Sequence, residues 1–174
     1  LELIYAQTAQ IIPTSHFHIT LYNKDSDYFY YGFCLENNER IQERENLPFS
    51  KNTGLGPEVI RKSRPIITQD YLRECQARGH TPILENVFAW MGVPLNAGAL
   101  SIGALSVASR DGAIVYTRGQ LELLQAIADQ TAGAIVKARL LEETQQRAHQ
   151  LSTLNEITRQ LTSTLDLDLL LQNI

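Results

Sequence analysis

Hydrophobic and polar residues alternate strictly along HFHITLYN, residues 16–23. A two-residue period is typical of a β-strand that has one buried face and one polar face. The hydrophobic side of this predicted strand carries Phe17, Ile19 and Leu21. The other side carries His16, His18, Thr20 and Tyr22.

A second alternating stretch, YFYYGFCLEN, follows the residues NKDSD. We predict an antiparallel hairpin, because Asn, Asp and Ser favour tight reversals and aromatic residues favour strands. The two-residue period, carried through the second strand, separates two sets of side chains. One set is Tyr28, Tyr30, Gly32 and Cys34, and the other is Phe29, Tyr31, Phe33 and Leu35. The charge-rich residues 36–46 are predicted to form a solvated edge or loop.

Short helical and strand patterns fill the rest of the chain up to residue 116. Helices are predicted at residues 1–12, 56–62 and 71–78, and Pro13 ends the first of them. Strands are predicted at residues 65–68, 87–95 and 99–109, with the turn NAG between the last two.

A long helix is predicted from residue 117 onwards, because no proline interrupts the chain after that point. Thr117 and Gln120 have the spacing of a capping box at its start. An apolar stripe then follows at Leu121, Leu124, Ala128, Thr131, Ile135 and Ala138. Farther on, the spacing of a coiled-coil seam is found at Leu151, Leu154, Thr158, Leu161 and Leu165. A helix packed on its own domain has the same pattern.

Composition and charge narrow the classes of partner. The net charge of -4 comes from 15 basic and 19 acidic residues, so we expect no nucleic-acid partner. No apolar run reaches the roughly 20 residues that cross a bilayer, so we expect a soluble chain without a membrane partner. Two cysteines, Cys34 and Cys75, are too few for a disulfide framework, and we expect a cytoplasmic location.

Three segments, in their order along the chain, resemble the GAF family of small sensor domains. They are GLGPEVIRKSRPIITQD, VPLNAGALSIGALSV and YTRGQLELLQAIADQTAGAI. The resemblance covers residues 1 to about 150. It implies an α/β (α+β) fold with a central antiparallel sheet of five to six strands. The N- and C-terminal helices would pack on one face, a ligand pocket would lie on the other, and a long C-terminal signalling helix would follow.

The resemblance implies that the polar side of the first two strands lines the pocket. Strand parity and aromatic placement then predict the ligand-binding residues His18, Thr20, Tyr30, Cys34, Tyr71 and Trp90. His16 and His18 are a possible metal pair, but they need a third ligand such as His80. Polar residues at a strand end explain the pair without a metal, so we predict no metal site and no catalytic residue.

The sequence does not identify a cofactor. Bilin attachment in the family uses a cysteine followed directly by histidine, whereas Gln76 follows Cys75 here. The cyclic-nucleotide members have a dispersed Asn-Lys-Phe-Asp-Glu set, of which only the adjacent letters NK match, in a turn. A haem held by a histidine is a minor alternative.

The predicted function is a non-catalytic sensory and dimerisation module of a bacterial signal-transduction protein, such as a sensor histidine kinase. Its expected partners are an unknown small molecule, a second copy bound through the terminal helices, and a downstream signalling domain in the same chain. The alternatives are a GAF-family thiol reductase of the free methionine sulfoxide type, which would use Cys34 and Cys75, and a haem- or bilin-binding GAF domain.

The predicted domain boundary lies at residue 150. Residues 1–150 form the sensor domain, and residues 151–174 form a linker helix and the start of a following domain. The second assignment depends on a loose similarity between LDLLLQNI near the C-terminus and LELIYAQT at the N-terminus. A coincidence between two leucine-rich helices is the alternative.

Overall fold

The computed structural model describes the backbone of residues 2–171 and the side chains of residues 2–157. The chain divides into two compact units, Leu1–Gly133 and Ala134–Ile174. The family resemblance implied a boundary at residue 150, and that boundary stays a prediction. None of the described helices combines the length and the hydrophobicity that a bilayer-spanning segment needs.

Four helices and seven strands make up the described chain, and a 3-10 turn lies at Gln42–Arg44. The helices are α1 (Glu2–Ile11), α2 (Gly56–Lys62), α3 (Tyr71–Ala77) and α4 (Arg118–Leu171). The strands are β1 (His16–Asn23), β2 (Tyr28–Glu36), β3 (Glu39–Arg40), β4 (Pro48–Phe49), β5 (Ile66–Thr68), β6 (Ala89–Ala97) and β7 (Leu100–Ser109).

The strands form one antiparallel sheet in the order β3-β2-β1-β7-β6-β5, and β4 pairs with β2 outside this path. The predicted α+β class is therefore confirmed. The sheet has seven strands instead of five to six, because β3 and β4, of two residues each, pair with β2. Residues 36–46, which were predicted as a solvated edge or loop, contribute β3 to that edge.

One face of the sheet packs against the N-terminal helix, as the alternation in β1 predicts. The Tyr5 ring of α1 meets the Phe17 ring edge-on, with 5.5 Å between the centroids. Phe17, Ile19 and Leu21 are all buried. The paired strands add further buried residues to this face, namely Met91, Val93, Leu105 and Val107. Each such side chain contributes about 1.5–3 kcal/mol through its burial.

Helix α4 begins with the predicted capping box. The Gln120 amide N–H donates to Thr117 Oγ1 over 3.3 Å, and the Thr117 amide N–H donates to Gln120 Oε1 over 2.9 Å. Its apolar stripe is buried at Leu124, Ala128 and Thr131. The Gln125 side chain between them donates to the Pro94 carbonyl of β6 over 3.1 Å.

The second unit contains the remainder of α4, from Ala134 onwards. Its described side chains include exposed large hydrophobic residues at Leu140, Leu141, Leu151, Leu154 and Ile157. The predicted seam members Thr158, Leu161 and Leu165 lie outside the residues whose side chains are described. The coiled-coil seam therefore stays a prediction.

The regular alternation of β2 breaks at Gly32. Phe33 lies opposite Ile19, but the next pair along the strands joins Tyr31 to Thr20, so Gly32 is an extra residue. This is a β-bulge, which inserts one residue into one strand of an antiparallel pair. A Cβ atom at Gly32 would lie only 2.7 Å from a side-chain carbon of β1, so the lack of a side chain permits the close packing.

The bulge reverses the predicted orientation of the tyrosines before it. Tyr31 shares the face of Thr20, and Tyr30 shares the face of Leu21. The prediction that Tyr30 points to the pocket side is therefore wrong, because it carried a strict two-residue period through Gly32. Tyr31 occupies the position that the sequence assigned to Tyr30.

The other face of the sheet is covered by α2, which packs on β1, β6 and β7. A hydrophobic cluster fills the space between the sheet, α2 and α3. Its buried members are Phe29, Leu55, Val59, Ile60, Ile66, Tyr71, Cys75, Leu84, Val87, Trp90, Ala104 and Ala108. This second core holds the loops that enclose the candidate site.

Candidate functional site

A closed cavity lies between this second face of the sheet and the segments around α2 and α3. Its polar lining side chains include His18, Thr20 and Ser106, and its aromatic ones include Tyr31, Tyr71 and Trp90. The cavity volume of about 10 Å³ leaves room for one water molecule at most. Polar groups that converge in an aromatic-lined cavity are typical of a small-molecule site.

The paired strands fix the positions of these side chains. His18 of β1 lies opposite Ser106 of β7, and Thr20 lies opposite Tyr31 of β2. The Trp90 indole lies across Gly92, where a Cβ atom would be only 2.3 Å from the ring. The lining is therefore held by the sheet, which is more rigid than a loop.

Two loops, residues 50–55 and 81–87, cover the cavity. The Gly54 amide donates to the Thr81 carbonyl over 2.8 Å, and the Thr81 amide donates to the Asn52 carbonyl over 2.8 Å. The Tyr71 hydroxyl accepts from the Ile83 amide over 3.3 Å. With these loop contacts in place the cavity has no room for a ligand larger than water.

Four of the six predicted site residues line the cavity: His18, Thr20, Tyr71 and Trp90. Tyr30 lies on the opposite side of β2 because of the bulge, and Cys34 is absent from the lining. Whether any of the six binds a ligand stays a prediction.

Tyr31 and Ser106 are among the lining residues that were not predicted from the sequence. A glycine inside a strand often marks a bulge, so Gly32 was a signal that the alternation could break there, although not of which tyrosine faces the cavity. The alternation in β7 was sufficient to place Ser106 on the polar face.

A larger groove opens on the same side of the molecule, outside the closed cavity. Its volume is about 660 Å³, which suits a drug-sized ligand. The charged lining side chains are Asp27, Lys51 and Arg61, and the apolar ones include Tyr22 and Leu100. The groove is open to solvent, and these charged residues are exposed. Polar contacts there compete with water more strongly than contacts inside the closed cavity.

A second group of side chains lies beside the cavity, where β1 and β2 pair. His18 Nε2 is 3.6 Å from Glu36 Oε1, and Cys34 Sγ is 4.0 Å from the same oxygen. Arg44 donates a short hydrogen bond to this oxygen from the exposed side. The neighbouring His18 ring and the Arg44 guanidinium lower the pKa of the Glu36 carboxyl.

A third polar cluster surrounds Glu58 of α2. Its carboxylate accepts hydrogen bonds of 2.6 Å each from Lys62, Arg78 and His80. Burial alone would raise the pKa of Glu58, but these three donors outweigh it and lower the pKa to about 2. The cluster links α2 to the end of α3 and to the loop that follows.

A family model described as the GAF domain matches residues 1–136. The chain belongs to the GAF family. The expected resemblance is therefore confirmed, and the coarse function of this GAF domain is that of a sensory module. A comparison with curated proteins finds no match.

Solved GAF domains share its fold. A GAF domain from an Acinetobacter phosphoenolpyruvate-protein phosphotransferase has a TM-score of 0.66 and 14% identity, covering 82% of this chain and 84% of that chain. The second GAF domain of DevS from Mycobacterium smegmatis has a TM-score of 0.62 and 16% identity, covering 82% of this chain and 94% of that chain. A type II free methionine-R-sulfoxide reductase from Thermoplasma acidophilum has a TM-score of 0.58 and 14% identity, covering 76% of this chain and 92% of that chain. At such identities the likeness shows the fold alone.

Both cysteines of this GAF domain are buried free thiols. Burial raises the pKa of Cys34 to about 12 and that of Cys75 to about 11. A thiol that keeps its proton at neutral pH is a poor nucleophile, because the thiolate is the reactive form. The environment of the two residues therefore disfavours thiol-based catalysis.

Proposed function

We propose that this GAF domain is a non-catalytic sensor that binds a small polar molecule in the closed cavity. The observation that carries the proposal is the convergence of His18, Thr20 and Ser106 on an enclosed space lined by aromatic rings. A ligand there would hydrogen-bond to the polar side chains and stack on Trp90 or Tyr71. The ligand is compact, because the surrounding sheet is fixed.

Binding is coupled to movement of the covering loops, since the closed cavity holds at most one water molecule. A ligand shifts the domain towards the loop-open or loop-rearranged state by its higher affinity for that state. The hydrogen bonds that join Thr81 to Gly54 and Asn52 break or rearrange in the process. This differential affinity is the source of the signal.

Helix α4 carries the signal away from the sheet. Trp90 and Pro94 lie on the same strand, β6, and the Pro94 carbonyl accepts the hydrogen bond from Gln125 of α4. A change at the cavity end of β6 therefore acts on the helix through a direct contact. A downstream signalling domain in the same chain, such as that of a cytoplasmic histidine kinase, would receive it.

The exposed leucines of α4 support a homodimer through this helix. Apolar side chains that lie exposed along one helix favour a coiled-coil partner. In analytical ultracentrifugation, Leu151→Glu combined with Leu154→Glu is expected to shift a dimer to a monomer. Leu47→Glu, at an exposed hydrophobic residue outside the helices, is the matched control and leaves the dimer intact. A wild-type monomer at micromolar concentration would contradict this part of the proposal.

Trp90 provides the test of ligand binding, because it is the single tryptophan of the chain and lines the cavity. Titration with small polar metabolites is expected to shift the tryptophan emission, and a true ligand gives a saturable change. Ser106→Ala removes a cavity hydroxyl and should weaken that ligand about tenfold. Ser101→Ala on the same strand, at the open groove, leaves the affinity unchanged.

The opposite pattern would place binding in the open groove and overturn the cavity assignment. In that case Ser101→Ala or Arg61→Ala weakens ligand binding and Ser106→Ala does not.

Loss of a methionine sulfoxide reductase activity in the variant Cys34→Ser with Cys75→Ser would favour the enzymatic alternative. The buried and protonated thiols argue against that outcome.

A further inference from the structure

The polar group beside the cavity contains a buried histidine atom with an unmet hydrogen bond. The His18 side chain is only 3% exposed. Among the described residues its Nε2 has no hydrogen-bond partner. A buried polar atom without a partner destabilises the fold, so it requires an explanation. Glu36 Oε1, 3.6 Å away, is beyond hydrogen-bond distance.

Two further side chains with metal-ligating atoms, Cys34 and Glu36, lie near this nitrogen. A ring nitrogen of His18, Cys34 Sγ and a Glu36 carboxylate oxygen all lie within 4.8 Å of one another. A single metal ion bonds to nitrogen at about 2.0–2.1 Å, to carboxylate oxygen at about 2.0–2.2 Å and to thiolate sulfur at about 2.3 Å. Small side-chain movements therefore bring all three atoms to one ion.

The sheet holds the three residues in place. His18 lies directly opposite Cys34, and Glu36 is two residues along the same strand, so all three share one face. The bulge at Gly32 lies beyond this segment and leaves its register intact. His16 lies opposite Glu36, on the same face, with its ring centroid 6.3 Å from that of His18.

We propose that His18, Cys34 and Glu36 form a binding site for a divalent transition-metal ion of the zinc class. A thiolate, an imidazole and a carboxylate are ligands that Zn²⁺ accepts together in tetrahedral sites. On binding, the Cys34 S–H bond breaks, a sulfur–metal bond forms and the proton passes to solvent. Three protein ligands leave one position for water or another ligand.

Arg44 competes with the ion. Its guanidinium bonds to the Glu36 oxygen that is nearest to His18 and Cys34, and its side chain is 48% exposed. A long exposed side chain moves into solvent at little cost, so the ion displaces it. Removal of the Arg44 side chain is therefore predicted to change the metal affinity, an effect that a merely structural cluster would not show.

The site is separate from the proposed ligand cavity, although His18 borders both. Cys34 and Glu36 take no part in the cavity lining, and Thr20, Ser106 and Trp90 take no part in the metal site. Failure of one proposal therefore leaves the other standing.

Titration of the metal-free 174-residue chain with Co²⁺ tests the site directly. A Co²⁺ ion in a Cys, His and Glu site is expected to give a thiolate charge-transfer absorption that saturates at one ion per chain. Zn²⁺ then displaces Co²⁺ and removes the absorption. No saturable absorption, together with no calorimetric Zn²⁺ binding, would overturn the proposal.

Variants identify the ligands. Cys34→Ser should abolish the charge-transfer absorption, whereas Cys75→Ser, at the other buried thiol, should retain it. His18→Gln and Glu36→Gln should each weaken Zn²⁺ binding at least tenfold. They test the ligand assignment if the Cys34→Ser variant does not fold. Arg44→Ala should tighten binding several-fold, because it frees the Glu36 carboxylate. Absorption that survives Cys34→Ser, or is lost in Cys75→Ser, refutes the assignment.

Discussion

Two histidine–glutamate pairs in this domain differ in how closely the histidine approaches its carboxylate. His80 Nε2 lies 2.6 Å from Glu58, whose carboxylate also accepts from two cationic side chains at 2.6 Å. His18 Nε2 lies 3.6 Å from Glu36 and makes no hydrogen bond to a described residue. The first pair joins α2 to the α3 region. The second pair sits where two strands meet, next to a thiol.

The difference separates a structural role from a binding role. A buried carboxylate with three donors gains its stability within the fold and has little left to offer a ligand. Both His18 Nε2 and His80 Nδ1 lack a hydrogen-bond partner among the described residues, but of the two only His18 lies in a group with a thiol and a carboxylate, Cys34 and Glu36, that could hold a metal ion. The contrast predicts that substitutions in the Glu58 cluster change stability, whereas substitutions in the Glu36 group change binding.

The largest effect is expected for Glu58→Gln. The substitution removes the carboxylate that neutralises Arg78, Lys62 and His80, so the free energy of unfolding should fall by about 3 kcal/mol. Urea denaturation at neutral pH measures it. Glu74→Gln, which breaks the more exposed pair with Arg78, is the control and should cost about 1 kcal/mol or less. Equal losses in the two variants would contradict the structural role of Glu58.

The pH dependence of stability gives the next largest effect. The folded-state pKa of Glu58 is about 2, below its ordinary value of 4.5, so ionisation of this carboxyl stabilises the fold. That stabilisation is complete above about pH 4.5 and is lost as the pH falls towards about 2. The gap in unfolding free energy between wild type and Glu58→Gln should narrow by about 2 kcal/mol between about pH 5 and about pH 2.5. A constant gap would show that the Glu58 charge is unimportant.

Matched histidine substitutions compare the two pairs directly. His80→Gln loses a hydrogen bond to a charged group and should destabilise the domain by about 1.5–3 kcal/mol. His18→Gln loses no hydrogen bond through Nε2, and we expect a change within about 1 kcal/mol. Thermal and urea unfolding of metal-free protein measure both. The reverse order would show that His18 is the structural histidine.

The smallest effect on stability is expected for Arg44→Ala. Arg44 is about half exposed, and exposed ion pairs contribute about 0–1 kcal/mol. The free energy of unfolding should therefore change by about 0.5 kcal/mol at most, while Zn²⁺ affinity rises. A large loss of stability would indicate that the pair with Glu36 is structural and would weaken the comparison.

Regular local patterns made much of the fold predictable from sequence. The alternation in β1 placed Phe17, Ile19 and Leu21 on the face that packs against α1. Thr117 and Gln120 marked the start of α4 because a capping box depends only on residues three positions apart. Strand parity and aromatic placement, combined with the pocket that the family resemblance implied, selected His18, Thr20, Tyr71 and Trp90, which line one cavity.

The remaining features depend on pairing between strands, which one sequence does not reveal. The extra residue at Gly32 moved Tyr31 to the cavity side, and a period counted along one strand cannot detect it. Cys34 and Glu36 were assigned to different regions, a pocket wall and a charged loop. Only the register with β1 brings both to His18. The small volume of the cavity likewise depends on how the covering loops pack.

The insertion at Gly32 affects how this domain is aligned with its relatives. A relative with an uninterrupted second strand needs a one-residue gap at this point in the alignment. Without that gap, an alignment that matches Phe33 correctly places Gly32 at the cavity-facing position opposite Thr20, although Tyr31 is the spatial counterpart. Conclusions about ligand specificity from such an alignment would then describe the wrong residue.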